Sequence, residues 1–133
     1  MTVSYHINPE QKIVFTSVCD VVDGPQLYAH QDRLRVDPGF EPDMCELMDC
    51  MNLQDVKLST VNHLKLVKDS PWGVRAKRAI LVPNPLVFGI IRFFQVFMSP
   101  SHGKISIFHN PESARNWLET NLSEVSEKFA QRS

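Results

Sequence analysis

The sequence predicts an α/β domain: a five-stranded, mostly parallel mixed sheet with an N-terminal β-hairpin and four helices. Three observations carry this expectation. Short apolar runs of strand length alternate with segments of helical periodicity, giving the order β-β-α-β-α-β-α-β-α. Asp23-Gly24-Pro25, Asn84-Pro85 and Asn110-Pro111 each stand at the head of a helical segment, pairing an N-cap with a first-turn proline. Finally, "KRAILV" (Lys77–Val82) is almost continuously apolar, as expected of a strand buried on both faces of a parallel sheet. The 133 residues fit one domain, 1–133, with no internal repeat or linker.

The elements follow in order. Val3, Tyr5 and Ile7 alternate with polar residues, Asn8-Pro9 supplies a turn, and Lys12–Cys19 forms the second, more buried arm of the hairpin. A helix opens at Asp23-Gly24-Pro25 and runs to about Val36, where "DPGFEPD" makes a loop. Met44–Asp49 is a short, largely apolar run read as a central strand, and "NLQDVKL" is a connection. Ser59-Thr60 starts a helix that Ser70-Pro71 ends. After Lys77–Val82 comes an apolar helix over Pro85–Met98, then an alternating strand, Lys104–His109. In the last helix, Ala114, Trp117, Leu118, Leu122, Val125 and Phe129 recur at helical spacing, and Trp117 and Leu118 are expected to pack on the sheet.

Composition and motifs exclude several functions. A formal net charge of −1 provides no basic field for phosphate backbones, so no nucleic acid is expected as a partner. The five glycines are too far apart for a phosphate loop or dinucleotide fingerprint, and no cofactor is expected. His6, His30, His63, His102 and His109 have no metal-ligand spacing, so no metal is expected. No G-x-S-x-G appears, and no nucleophile has an evident base, so the chain is expected not to be an enzyme. Asp49 and Asp55 are placed near the C-terminal edge of the sheet, where open α/β sheets bind ligands, with loop capping as the plainer role. "MTVSYHINPE" shows no basic region followed by an apolar one, so the expectation is a cytoplasmic protein. Cys19, Cys45 and Cys50 are then expected to be reduced thiols.

The opening "VSYHINPEQKIVF", the central "MCELMDCMNLQDVKLS" and above all "RAILVPNPLVFGIIRFFQVF" followed by "KISIFHNPESARNWL" resemble the SpoIIAA-like family. This is the anti-sigma-factor antagonist (STAS) fold, related to Sec14 (CRAL-TRIO) lipid-binding domains. The likeness spans nearly the whole chain. It implies a non-enzymatic regulatory or binding domain. Phosphorylatable antagonists carry an Asp-Ser-Ser/Thr-Gly-Leu type motif where the third strand meets its helix. Here that place reads "KLSTVNHL": Ser59 and Thr60 are present, and the Asp, Gly and Leu framing is absent. The resemblance therefore implies the fold more than a phospho-switch. A partner-switching regulator phosphorylated at Ser59 or Thr60 remains the alternative, beside a plain N-cap role for the pair.

The unusual stretch is "PLVFGIIRFFQVFM", Pro85–Met98. Gly89, Arg92, Gln95 or Val96, and Ser99 make one narrow, less apolar stripe on a helical wheel, flanked by Phe88, Ile91 and Met98. Val87, Ile90, Phe94 and Phe97 lie opposite and are expected to face the sheet. Such a helix is apolar nearly all round, whereas a surface helix has a polar remainder. As a helix its Leu86–Met98 run is about 20 Å long, too short to cross a bilayer. Three coverings for it compete: a dimer or protein partner, a membrane surface or apolar ligand, and the domain's own loop or C-terminal helix. Phe88, Ile91, Arg92, Phe93 and Phe97 are the expected contact residues. Arg92 can lay its stem along the apolar surface while its guanidinium reaches a carboxylate, a carbonyl or a lipid phosphate; in the membrane mode the protein is expected to sit peripherally at the inner face of the membrane.

Overall fold

The computed structural model describes residues 2–83 and 103–119. The chain begins as a hairpin. β1 (Val3–Asn8) pairs antiparallel with β2 (Ile13–Val18), from Val3↔Val18 to Asn8↔Ile13. Asn8 builds the turn: its Oδ1 accepts from the backbone N–H groups of Glu10 and Gln11, both at 3.1 Å. β4 (Cys45–Asp49), β6 (Lys77–Leu81) and β7 (Lys104–Phe108) then add in parallel, so the main sheet has the order β1-β2-β4-β6-β7. This is the expected five-stranded sheet with only the first strand antiparallel. β6 lies between β4 and β7, and all five of its residues are buried, in line with its apolar sequence.

A second, two-stranded parallel sheet was not expected: β3 (Asp20–Asp23) pairs with β5 (Leu53–Lys57). "NLQDVKL" is therefore partly a strand and not a connection. Its composition hides it, since only Leu53 is buried and the rest is polar or half-exposed. At the start of β3, Asp20 takes a left-handed φ of 61° where the pairing register slips, and this turns the chain out of β2 into the smaller sheet.

Both strands of that sheet lead into helices. α1 (Gly24–Val36) starts with a reciprocal capping box: Gln26 N–H donates to the Asp23 carboxylate and Asp23 N–H to the Gln26 side chain, each at 3.0 Å. α2 (Thr60–Lys68) starts the same way, with Ser59 as N-cap and Asn62 as its partner. Residues 111–119 form α3, capped by Asn110, whose Oδ1 accepts from Ser113 N–H at 2.8 Å. Three helices are thus present among the described residues where the sequence predicted four. The remaining one, over Pro85–Met98, falls outside them.

The alternation along the strands sorts the core onto two faces. Val14, Val18, Met48 and Ile80 face α1, together with Leu27 and Leu34. Leu47, Ala79 and Leu81 face the other way and pack against Ala114 and Leu118 of α3. Trp117 joins that cluster, and its carbonyl and ring hold the buried Lys77: Nζ donates to Trp117 O at 2.8 Å and sits 4.2 Å from the ring centroid. Cys45 and Cys50 fall on opposite faces, and none of the three cysteines forms a disulfide.

Candidate functional site

Glu46 is the charged residue inside the central strand β4, which ends at Asp49. Alternation places it on the α1 face, between Val14 of β2 and Arg78 of β6. It is completely buried. A carboxylate there has to be paired, because burying an unpaired charge costs many kcal/mol. Arg78 Nε donates to its Oε1 at 2.9 Å, and Thr16 Oγ1 donates to its Oε2 at 2.8 Å. Burial is the largest influence on Glu46 and pushes its pKa up. The charge of Arg78, followed by His30 and the Thr16 hydroxyl, outweighs burial and holds it at about 2. His30 Nε2 lies 4.0 Å from Glu46 Oε2. That is longer than a hydrogen bond, so His30 acts on the carboxylate through space.

His30 belongs to the inner face of α1, where Leu27, His30, Gln31 and Leu34 follow at helical spacing. It is 4% exposed, and neither ring nitrogen has a hydrogen-bond partner. Tyr5 meets the ring edge-on, centroids 5.5 Å apart, and is itself fixed by donating its hydroxyl to Asp37 Oδ2 at 2.6 Å. Trp72 lies against Arg78, with its ring centroid 5.0 Å from the guanidinium carbon.

These groups line one end of a cavity of about 80 Å³ between α1, α2 and the sheet. Val22, Leu53, Val56, Leu66 and Ile80 make most of its wall, and His30, Gln31 and Arg78 supply the polar atoms. Gln31 is already engaged, donating to Leu66 O at 3.0 Å. Arg78 is engaged through Nε, and its two Nη groups make no hydrogen bond among the described residues. Two larger hollows, about 600 and 450 Å³, open on the opposite face and meet at Phe15 and Arg115. Neither is lined by a buried polar atom without a partner.

The sequence-predicted site residues are not brought to this cavity. Ser59 and Thr60 are exposed, and Ser59 Oγ accepts from Asn62 N–H at 3.1 Å as the α2 N-cap. Phe88, Ile91, Arg92, Phe93 and Phe97 lie outside the described residues. Asp49 serves a local turn, accepting from Met51 N–H, and Asp55 lies within β5, where it accepts from Val56 N–H. Burial pushes the Cys50 thiol up to about 12 and raises that of Cys45, so neither is a ready nucleophile. Among the described residues no three His, Cys, Asp or Glu side chains cluster as a metal site, and no helix is long and apolar enough to cross a membrane.

Sequence reasoning missed the Glu46–Arg78–His30 group. A signal existed for two of its members: Glu46 and Arg78 are charged residues within central, largely apolar strands, which calls for a mutual partner. His30 was visible only as a polar residue on the apolar stripe of α1.

No known family profile and no curated protein matches the sequence. Among solved structures, an uncharacterized protein from the DUF3478 family with a SpoIIAA-like fold, from Shewanella loihica PV-4, superposes with a TM-score of 0.59 at 17% identity. The alignment covers 87% of this chain and 93% of that one. The chain has a SpoIIAA-like fold.

Proposed function

We propose that the protein is a non-enzymatic binding or regulatory domain that takes a small, largely apolar ligand into the cavity beneath α1 and α2. One observation carries this reading: the histidine at the cavity wall is buried with both ring nitrogens unpartnered. A buried polar group without a partner costs about 1–3 kcal/mol, a cost that a ligand or an ordered water removes. The wall around it is apolar and favours a ligand over several waters. The Pro85–Met98 stretch extends the same reading. Its Phe88, Ile91, Arg92, Phe93 and Phe97 would present the loaded domain to an apolar ligand tail, a membrane surface or a protein partner, a second copy included.

Native mass spectrometry of the purified protein, followed by solvent extraction, tests the cavity. A retained small molecule is expected, lost in Val56→Phe, which plugs the cavity from its half-exposed wall. A protein that retains nothing, and whose melting temperature ignores a panel of short-chain alcohols, acids and ketones, would remove the reading. For the long helix, Phe88→Asp should abolish self-association seen by sedimentation, or Arg92→Glu should abolish binding to anionic vesicles.

A further inference from the structure

We propose that residues 120–133 fold back at the end of the sheet and cover the hollow beside β2, so that this face of the domain is closed by the chain's own C-terminal segment. The inference is independent of the cavity beneath α1 and α2, which lies on the other face of the sheet. It starts from the path of α3. That helix runs from Pro111, beside Asp49 and Leu81 at the C-terminal ends of β4 and β6, to Leu118 and Glu119, beside Ile13 and Cys45 at the N-terminal ends of β2 and β4. By Glu119 it has crossed the length of the sheet. A straight continuation would carry Leu122, Val125 and Phe129 past the described strands and into water. The uncovered apolar surface lies to the side instead. Ala114 and Leu118 pack on Leu47, Ala79 and Leu81, while Ile13, Phe15 and Cys45 stay half-buried at the margin of that cluster. These three line the hollow of about 600 Å³, and Leu118 and Glu119 form its other lip.

The sequence permits the turn. Asn121 is followed three residues later by Glu124, the pattern of a helix start, and Asn is also favoured where a preceding helix ends in a left-handed residue. A helix restarting there puts Leu122, Val125 and Phe129 on one face and Glu124, Glu127 and Gln131 on the other. Over residues 122–132 it is about 16 Å long, close to the ~20 Å of the six-residue β2. A helix this short is marginal in water by itself, so its formation depends on a surface to pack against. Tethering decides the occupant. The segment leaves α3 at the lip of the hollow, where a short linker sets its local concentration in the millimolar range. The apolar strip of Ile13, Phe15, Cys45 and Leu118 matches three apolar side chains and falls well short of the ~800 Å² per partner that a stable interface between two copies needs.

Cys45 is a built-in reporter, because it lines the hollow, whereas Cys50 is buried on the opposite face. The experiment compares N-ethylmaleimide labelling of each thiol, read by mass spectrometry after peptic digestion, in the full chain carrying Cys19→Ser and in the same chain with Leu122→Asp and Phe129→Asp. Cys45 is expected to label about tenfold faster or more in the variant, since the two aspartates remove the apolar contacts that hold the segment down. Cys50 should stay unlabelled in both, and the Cys45 rate of the parent should not change on about hundredfold dilution, as befits an intramolecular contact. Gln131→Asp, on the polar face, should leave the Cys45 rate at the parent value. Equal Cys45 rates in parent and double variant would overturn the proposal. So would equal acceleration at Cys50, which would make the segment a support of the whole fold, or acceleration by Gln131→Asp, which would make any added charge sufficient. Protection of Cys45 that fades on dilution would assign the hollow to a second copy of the chain and overturn it equally.

Discussion

Arg78 and Glu46 meet at 2.9 Å in the centre of the sheet, from adjacent parallel strands that place the two residues side by side. The pair is 8% and 0% exposed at its side chains, so neither partner can turn to water if the other is removed. Breaking such a pair typically costs about 3–5 kcal/mol, whereas replacing both members by apolar residues of similar volume is often neutral. Arg78→Met alone should therefore lower the denaturation midpoint sharply. Glu46→Leu combined with Arg78→Met should recover most of the loss. A double variant as unstable as Arg78→Met would show that the pair itself, and not the stranded charge, supplies the stability.

The same carboxylate sets the response to acid. Its folded-state pKa of about 2 lies below the usual 4.5, so Glu46 contributes stability above about pH 4.5 and loses it as the pH falls through about 2. The contribution is on the order of a few kcal/mol. Urea denaturation repeated from neutral to acid pH should show stability declining over that window. In Glu46→Gln the decline should be smaller. An equal acid sensitivity in the two proteins would assign it to other carboxylates.

Gly24 opens α1 against the start of α2. A Cβ built on it would stand 2.6 Å from Asn62 Cγ, inside any allowed contact. Asn62 cannot retreat freely, because it closes the α2 capping box and donates through Nδ2 to the Tyr28 hydroxyl at 2.6 Å. Gly24→Ala should therefore destabilise by about 1–3 kcal/mol, despite the better helix propensity of alanine. Adding Asn62→Gly, which removes the obstructing side chain, should shrink the penalty of Gly24→Ala. Equal penalties in both backgrounds would place the strain elsewhere.

How much of this was legible follows from what each residue competes with. The main sheet was legible because its strands are apolar at alternating or successive positions and their turns carry Asn-Pro or Asp-Gly-Pro. β5 was not, since Gln54, Asp55 and Lys57 disfavour strand and only pairing with β3 holds them there. The capping roles of Asp23, Ser59 and Asn110 were local and therefore visible. The cavity was not, because it depends on residues 30, 46 and 78 meeting from three elements, and on the volume left between Val22, Leu53 and Leu66. Parity alone puts Glu46 and Arg78 on one face. Only the packing of α1 brings His30 over them.

The last prediction separates the two roles of Ser59. Its Oγ accepts from Asn62 N–H at 3.1 Å, and its own N–H donates to Asn62 Oδ1 at the same distance. Ser59→Ala removes one of these bonds and should cost about 1 kcal/mol. Ser59→Asp keeps an N-cap acceptor and adds a charge at the favourable end of the helix dipole, so stability should stay within a few tenths of a kcal/mol of the parent. If Ser59 is only a cap, both variants keep the association state and every binding property of the parent at a temperature where both are folded. If it is a phosphosite of a partner-switching regulator, Ser59→Asp changes partner capture while Ser59→Ala leaves it as in the unmodified protein. Sedimentation and pull-down on the two variants, each shown folded by circular dichroism, distinguish these outcomes. Thr60, the first residue of α2, is the matched control, because it accepts no capping bond and Thr60→Ala should leave the box intact.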